Sequence, residues 1–360
     1  MKILRVSTFP TIKRPTMGLH SAKLCNINSV KTIFLTHDEK LDRPKFEGNF
    51  SIFNFGKPLE LRAYQQTIFS EFFFIIRRVF GLLKFSLYGI WLLFFYKINI
   101  VHIHSPMYII IAIVGFFLNK KIYITFHGAD VQRIKKSWCY KLCAKIFTKV
   151  FAIGPFMVPI LSRIHGSENV VLVHNGIDQD IYKNKNLTRK KQIIAVGSLK
   201  DDKGFKYLIK AFSDLKKNNG FKEYALLIIG EGLLREELTK QIKSLAMIDY
   251  IHLLGQKNQA QLIELYNESE VFVLSSINEG FPKVLLEAIS CGCKIVSTDC
   301  GSASLVLKDT KLARPQISED LSIRLLDCIL SKNKSNIDIS KFTWESVIKI
   351  YFDEYKKISL

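Results

Sequence analysis

The chain is short of acid. Its 360 residues hold 52 Lys and Arg against 32 Asp and Glu, a formal net charge of +20. A field of that sign suits nucleic acid or an anionic membrane surface as a partner. Zinc-ligand spacing is missing as well. The seven cysteines are odd in number, and Cys139, Cys143, Cys291 and Cys293 fall in expected helices or beside expected strands, where thiols act as small hydrophobes. A reduced, cytoplasmic protein is expected. There is no charged segment followed by an apolar core at the start, because Met1 to Ser7 reads as a strand. Long apolar runs are scarce in the most hydrophobic stretch, Ala63 to Tyr96. Its longest uncharged run, Phe85 to Tyr96, is 12 residues. A membrane-spanning helix needs roughly 20.

Hydrophobic residues make up 48% and charged residues 23%, a globular composition, and the length suffices for two domains each with its own core. The basic excess is uneven. Residues 1–180 hold 24 basic and 10 acidic side chains, and between Leu61 and Val150 there are 13 basic residues against only Glu71 and Asp130. Apolar β-branched runs alternate with helical patterns along the whole chain, which predicts an α/β fold with parallel sheets wrapped on both sides.

Two stretches in the basic half are amphipathic. Ala63 to Tyr96 reads as a helix apolar nearly all round, with Arg77, Gly81, Lys84 and Tyr88 on one stripe, suited either to a core position or to the membrane interface. Val131 to Val150 reads as a basic helix in which Lys141, Lys145 and Lys149 form a stripe with Trp138 among them. Tryptophan among lysines suits an interfacial helix, and a solvated face with one stray Trp is the alternative. Arg77, Lys84, Trp138, Lys141, Lys145 and Lys149 are therefore the candidate membrane-facing residues. His102 and His104 end a strand, but nothing near them in sequence completes a metal site.

The stretch from Val271 to Gly301 carries the most chemistry. Two short apolar runs, Val271 to Ser275 and Ile295 to Thr298, read as buried strands. Asn278-Glu279-Gly280-Phe281-Pro282 supplies a turn, with Gly280 free to take positive φ and Pro282 suited to the first helical position; the helix runs from about Lys283 to Cys291 and stops at Gly292. Such a helix start offers N–H groups to phosphate or sugar oxygens. Glu287 lies among Leu285, Leu286, Ala288 and Ile289, so its ionised form needs donors nearby, such as ribose hydroxyls. The plain alternative is a dipole-stabilised Glu on the helix and a solvated Glu279 in the loop.

Asn278 to Gly292 resembles the signature of retaining glycosyltransferase family 4, with two glutamates, the E-G-F-P turn and an A-x-x-C-G ending. The resemblance extends over nearly the whole chain through Gly18-Leu19-His20, His127-Gly128, Asn175-Gly176-Ile177-Asp178 and Lys203-Gly204. It implies an α/β fold of two Rossmann-like domains facing across a cleft (GT-B). The expected divisions are an acceptor-binding domain over 1–180, a nucleotide-sugar domain over 181–341 and a C-terminal helix over 342–360 crossing back onto the first.

It also implies roles. His127, Glu279 and Lys203 would be catalytic. The donor would be held by Gly18, Ser198, Lys203, Gly280, Phe281, Pro282, Lys283, Val284 and Glu287, with Lys203 on the diphosphate and Glu287 on the ribose. Two positions depart from the family. Ser198 stands where many members carry arginine, leaving Lys200 as a possible substitute, and Ser302-Ala303-Ser304-Leu305 replaces the usual small residues and glutamate.

The reaction implied is transfer of a sugar from a UDP- or GDP-linked donor to a hydroxyl, with retention, no metal and no cofactor. With the basic apolar helices, the expected acceptor is a lipid-linked saccharide of lipopolysaccharide, O-antigen or capsule synthesis. The enzyme would sit peripherally on the inner face of the cell membrane. A nucleotide-sugar epimerase, a weakened sugar-nucleotide binder and a nucleic-acid-binding protein are the rivals, the last without a recognised motif.

Overall fold

The computed structural model describes residues 1–7, 23–26, 30–36, 45–47, 50–54, 68–127, 130–131, 134, 137–217, 221–308, 311–331 and 337–357. The chain forms two units, Met1–His174 with Val347–Leu360, and Asn175–Ser346. The α/β architecture expected of the sequence is present in both.

The first unit is built on eight strands, β1 (Lys2–Val6), β2 (Lys31–Thr36), β3 (Lys45–Glu47), β4 (Phe50–Asn54), β5 (Ile100–Ile103), β6 (Lys121–Phe126), β7 (Lys149–Ala152) and β8 (Val170–Leu172). They lie in the order β3-β4-β2-β1-β5-β6-β7-β8. Only the β3–β4 pair at the edge is antiparallel. Ile3, Leu4, Val6, Val101, Ile103, Ile122 and Ile124 are all buried, as strands covered on both faces require. Among the described residues, helices of this unit include α1 (Ile68–Phe95), α2 (Ile109–Phe117), α3 (Trp138–Cys143) and α4 (Val158–His165).

The expected basic helix over Val131 to Val150 is not continuous. After α3 a single 3-10 turn covers Ala144–Ile146, and Lys149 already belongs to β7, where its Nζ donates to the Glu168 carbonyl at 2.6 Å. Val150, Phe151 and Ala152 are fully buried in the sheet, and that burial outweighs the helical periodicity of the lysines. Lys141 and Lys145 remain exposed, but no single helix carries all three. The side chains of Trp138 and Arg77 lie outside the described residues.

The second unit has five parallel strands, β9 (Lys190–Val196), β10 (Ala225–Ile229), β11 (Ile251–Leu253), β12 (Ser269–Leu274) and β13 (Lys294–Ser297), in the order β11-β10-β9-β12-β13. The connecting helices are α5 (Phe205–Lys216), α6 (Arg235–Ser244), α7 (Gln259–Glu268), α8 (Lys283–Ser290), α9 (Ala303–Val306) and α10 (Ser318–Leu330). Ile193, Ala195, Leu208, Phe212, Ile228 and Val273 form the centre of its core. The chain leaves β9 toward β10 and β11, then returns to β12 on the other side. The order therefore reverses between β9 and β12, the place where open parallel sheets bind ligands at their strand ends.

The polar segment before β9 is fastened to this unit. Arg189 Nη1 donates to the carbonyls of Tyr266 at 2.9 Å and Ser269 at 2.6 Å, and Nη2 to that of Cys291 at 2.6 Å. At the start of the unit, Ile177 N donates to Phe342 O at 2.8 Å and Trp344 N to Ile177 O at 3.3 Å. A Cβ on Gly176 would stand 2.4 Å from the Trp344 ring, so only glycine fits there.

The last helix, α11 (Trp344–Lys356), joins the first unit from Val347 onward. Tyr351 and Tyr355 are fully buried against Phe151 and Tyr123, with ring centroids 4.3 Å and 5.3 Å apart. Their hydroxyls enter a polar cluster. His102 Nδ1 lies 2.5 Å from Tyr355 Oη and 3.0 Å from Arg5 Nη1, while His102 Nε2 reaches Thr125 Oγ1 at 2.9 Å, which in turn meets Tyr351 Oη at 3.0 Å. Burial raises both tyrosine pKa values.

Candidate functional site

The two loops that flank the strand-order reversal in the second unit are bonded together. After β9, residues 197–200 lead into a 3-10 turn, Asp201–Lys203, and Gly204 adopts the left-handed conformation at φ 64° before α5 begins. A Cβ on Gly204 would lie 2.1 Å from the Ser275 carbonyl oxygen. Both conditions demand glycine. Across the same gap, Ser275 Oγ donates to Lys203 O at 2.8 Å and Ile277 N to Asp202 O at 2.8 Å. Asp201 and Asp202 are thus part of an ordered turn.

These bonds bring Lys203 and Glu279 together. Lys203 Nζ donates to Glu279 Oε1 at 2.5 Å, and both side chains are less than a fifth exposed. Ser276 Oγ donates to the same carboxylate oxygen at 2.9 Å. The Glu279 backbone is held from the other side, its N–H donating to Cys300 O at 3.1 Å and its carbonyl accepting from Ser302 Oγ at 3.3 Å. Thr298 Oγ1 donates to Ser276 O at 2.5 Å and closes the arrangement. A charge-assisted bond of this length, away from bulk water, holds cation and carboxylate as a unit.

The helix start beside Glu279 differs in detail from expectation. Pro282 is the N-cap, at φ −80° and ψ 94°, and Lys283 is the first helical residue; Gly280 is not among the glycines of positive φ. No side chain caps α8. Its first-turn amides at Lys283 and Val284 therefore stay available to an anion or a sugar oxygen. Phe281 is buried and stacks obliquely on Phe342, ring centroids 5.5 Å apart, which fixes the turn.

Glu287 is supplied with donors by the protein itself. Tyr266 Oη on α7 donates to Glu287 Oε2 at 3.1 Å, Tyr182 bonds the same carboxyl, and Lys283 stands one turn earlier. Desolvation raises the Glu287 pKa and these partners oppose it, while desolvation lowers that of Lys283. Burial beside Glu287 pushes the Tyr182 phenol up to about 12. Tyr266 and Tyr182 carried no signal in sequence, because they reach Glu287 only through tertiary packing. Ser276 and Ser302 had a weak one, as small polar residues just beyond strand ends.

Ser198 lies two residues beyond β9, and its carbonyl accepts from Lys200 N at 2.8 Å. Lys200 is exposed and makes no ion pair among the described residues. Leu305 sits on α9, whose N-cap is the buried Ser302. In the first unit His127 immediately follows β6, half-buried, with its carbonyl accepting from Asp130 N at 2.9 Å. Gly18 and Gly128 lie outside the described residues. His102 and His104 are buried in the cluster with Arg5, and among the described residues no group of three or more His, Cys, Asp or Glu is placed to hold a metal ion.

Comparison with known proteins decides the family. The family model for glycosyl transferases group 1 matches residues 177–343, and that for glycosyltransferase family 4 matches residues 49–181. Residues 177–343 belong to the group 1 glycosyl transferases. The chain is 34% identical over 132 residues to the N-acetylgalactosamine-N,N'-diacetylbacillosaminyl-diphospho-undecaprenol 4-alpha-N-acetylgalactosaminyltransferase of Campylobacter jejuni, covering 36% of this chain and 34% of that one. It is 29% identical over 200 residues to the amylovoran biosynthesis glycosyltransferase AmsK of Erwinia amylovora, covering 51% and 48%. The matches thus span a third to a half of those relatives' length. Among solved structures, Anabaena HepE in complex with UDP and glucose superposes with a TM-score of 0.71 at 15% identity, covering 99% of this chain and 100% of HepE. That likeness is one of fold.

Proposed function

We propose that this chain is a retaining glycosyltransferase that moves a sugar from a nucleotide diphosphate sugar to a hydroxyl of a lipid-linked saccharide in surface polysaccharide synthesis. The observation that carries the reading is the pairing of Lys203 and Glu279 at 2.5 Å beside an uncapped helix start, at the strand-order reversal of the second unit. Lys203 and the amides of Lys283 and Val284 would neutralise the leaving diphosphate, where charge develops in the transition state. Glu279 would hold sugar hydroxyls and Glu287 the ribose. His127 would contact the donor sugar. The departing phosphate would take the acceptor proton on the face it leaves, giving retention without a metal or a cofactor.

The lipid-linked acceptor is supported by the Campylobacter relative, whose name contains a diphospho-undecaprenol, and the polymer class by the amylovoran relative. UDP is supported as one donor nucleotide by HepE, with GDP the alternative. No described helix is long and apolar enough to cross a membrane, which is compatible with peripheral association. The test is transfer measured with a panel of UDP- and GDP-sugars and polyprenol-diphosphate saccharides, with the anomeric configuration of the product read by NMR. An inverted product would overturn retention. Absence of both transfer and hydrolysis with every donor would overturn the enzymatic reading.

A further inference from the structure

The outward face of α1 has no part in the site above. With successive residues about 100° apart, Phe85, Ser86, Gly89, Leu92 and Leu93 form the buried side, and Gly89 faces the Ile111 side chain of α2. The opposite side carries Phe80, Leu83, Leu87, Trp91, Phe94 and Phe95, all exposed, and between Val79 and Phe95 the only charge is Lys84. Phe94 and Phe95 are 66% and 68% exposed, well beyond the scattered apolar residues of an ordinary surface. They are contiguous, since the Trp91 ring lies 4.7 Å from Phe95 and stacks on Tyr88 at 5.6 Å. Alongside, α2 ends on Phe116 and Phe117, 45% and 81% exposed with rings 5.8 Å apart.

Cations gather where these helices end. Exposed Lys97 lies in the turn after α1, and exposed Lys121 opens β6 with its N–H donating to Asn99 O at 3.1 Å. Lys120, half-buried, completes the turn after α2. Aromatic side chains and lysines therefore share the edge of the sheet from which β5 and β6 start. Of the two acidic residues between Leu61 and Val150, Glu71 belongs to the first turn of α1 and Asp130 lies beyond the far end of β6, both at the other end of their elements from that edge.

We propose that this surface docks on an anionic lipid bilayer, with the aromatic residues of α1 and α2 set into the interface and Lys84, Lys97 and Lys121 against the lipid phosphates. The inference rests on the reading of a lipid-linked acceptor and assigns it a surface. Charge complementarity selects the occupant. A bilayer rich in acidic headgroups attracts each nearby lysine, whereas a second copy of a chain of net charge +20 would set the same cations face to face.

The full chain is sedimented with vesicles of phosphatidylglycerol and phosphatidylcholine in equal parts, and with phosphatidylcholine alone. Binding should require the anionic lipid and weaken with salt. A Phe94→Ser, Phe95→Ser, Phe117→Ser variant, shown folded by circular dichroism and thermal unfolding, should lose about tenfold or more in vesicle affinity. Lys97→Glu with Lys121→Glu should lose a comparable factor. Wild-type-like binding by the triple serine variant overturns the proposal. So does absence of wild-type binding to anionic vesicles at low salt, or a wild-type dimer that the serines convert to a monomer. Hydrolysis of nucleotide sugars without lipid is scored separately. Vesicle binding without any turnover sinks the enzymatic reading and leaves the surface standing, and turnover without vesicle binding does the reverse.

Discussion

Lys203 and Glu279 are 76 residues apart in sequence and 2.5 Å apart in space, so each charge depends on the other and on Ser276. Lys203→Ala should lower transfer by about 100-fold or more, the scale for removing a group that meets developing charge, with the protein still folded. Turnover within a few-fold of wild type would remove Lys203 from the site. Glu287 separates stability from function. Its raised pKa means that the fold disfavours the carboxylate, a cost absent below the usual range near 4.5 that grows as pH rises toward the raised value. Glu287→Gln keeps acceptor oxygen for Tyr266 and Tyr182, so neutral-pH stability should hold or rise while donor affinity falls. A variant that melts earlier at pH 7 yet binds donor normally would contradict this. His165 is the clearest acid-sensitive group. Burial lowers its pKa from 6.5 to about 4, with Nδ1 donating to Ala144 O and Nε2 accepting from Tyr140 Oη. Between those values the unfolded chain takes up a proton that the folded chain refuses, so stability falls with pH, by up to about 3 kcal/mol in all. In His165→Leu the acid slope of the unfolding free energy should shrink by about one proton, which urea unfolding across that range can measure.

At the scale of elements, strand-and-helix alternation was legible because apolar β-branched runs such as Ile193 to Val196 and Val271 to Leu274 are bounded by glycine and polar turns. Val131 to Val150 misled because a lysine every four residues mimics a helix face, while the buried run from Val150 answers to neighbouring strands that periodicity does not contain. The bonds between the loops after β9 and β12 follow from tertiary structure alone. Gly204 shows this, since its Cα sits under the Ser275 carbonyl. Gly204→Ala should cost more than about 1 kcal/mol, through left-handed strain and displacement of that carbonyl, and should also weaken donor binding. A fully stable, fully active variant would mean that the two loops are not coupled as described.

At the scale of the molecule, two units with separate cores predict two unfolding transitions in calorimetry. A nucleoside diphosphate at about 100 times its Kd should stabilise only the Asn175–Ser346 unit, by about 2.7 kcal/mol. Movement of the other transition alone would place the donor elsewhere. The first unit needs α11, because Tyr351 and Tyr355 complete the bonding of His102 and Thr125 and lie over Phe151. Ending the chain at Ser346 should therefore destabilise that unit selectively.

What the sequence by itself determined was local or carried by motif. Strand runs follow from β-branched burial, the helix of Lys283 to Ser290 from turn chemistry before it and Gly292 after it, and the family from short segments in a characteristic order. Tertiary structure decided what depends on which distant side chains meet. It gave Glu279 its lysine and Glu287 its two tyrosines. It drew Lys149 into a strand, enclosed His102 and His104 with a buried arginine, and left the far face of α1 uncovered. A pattern of 3.6 or 2 records which residues share a face. Whether that face is covered, and by what, is settled only when the sheet order and the last helix have closed around it.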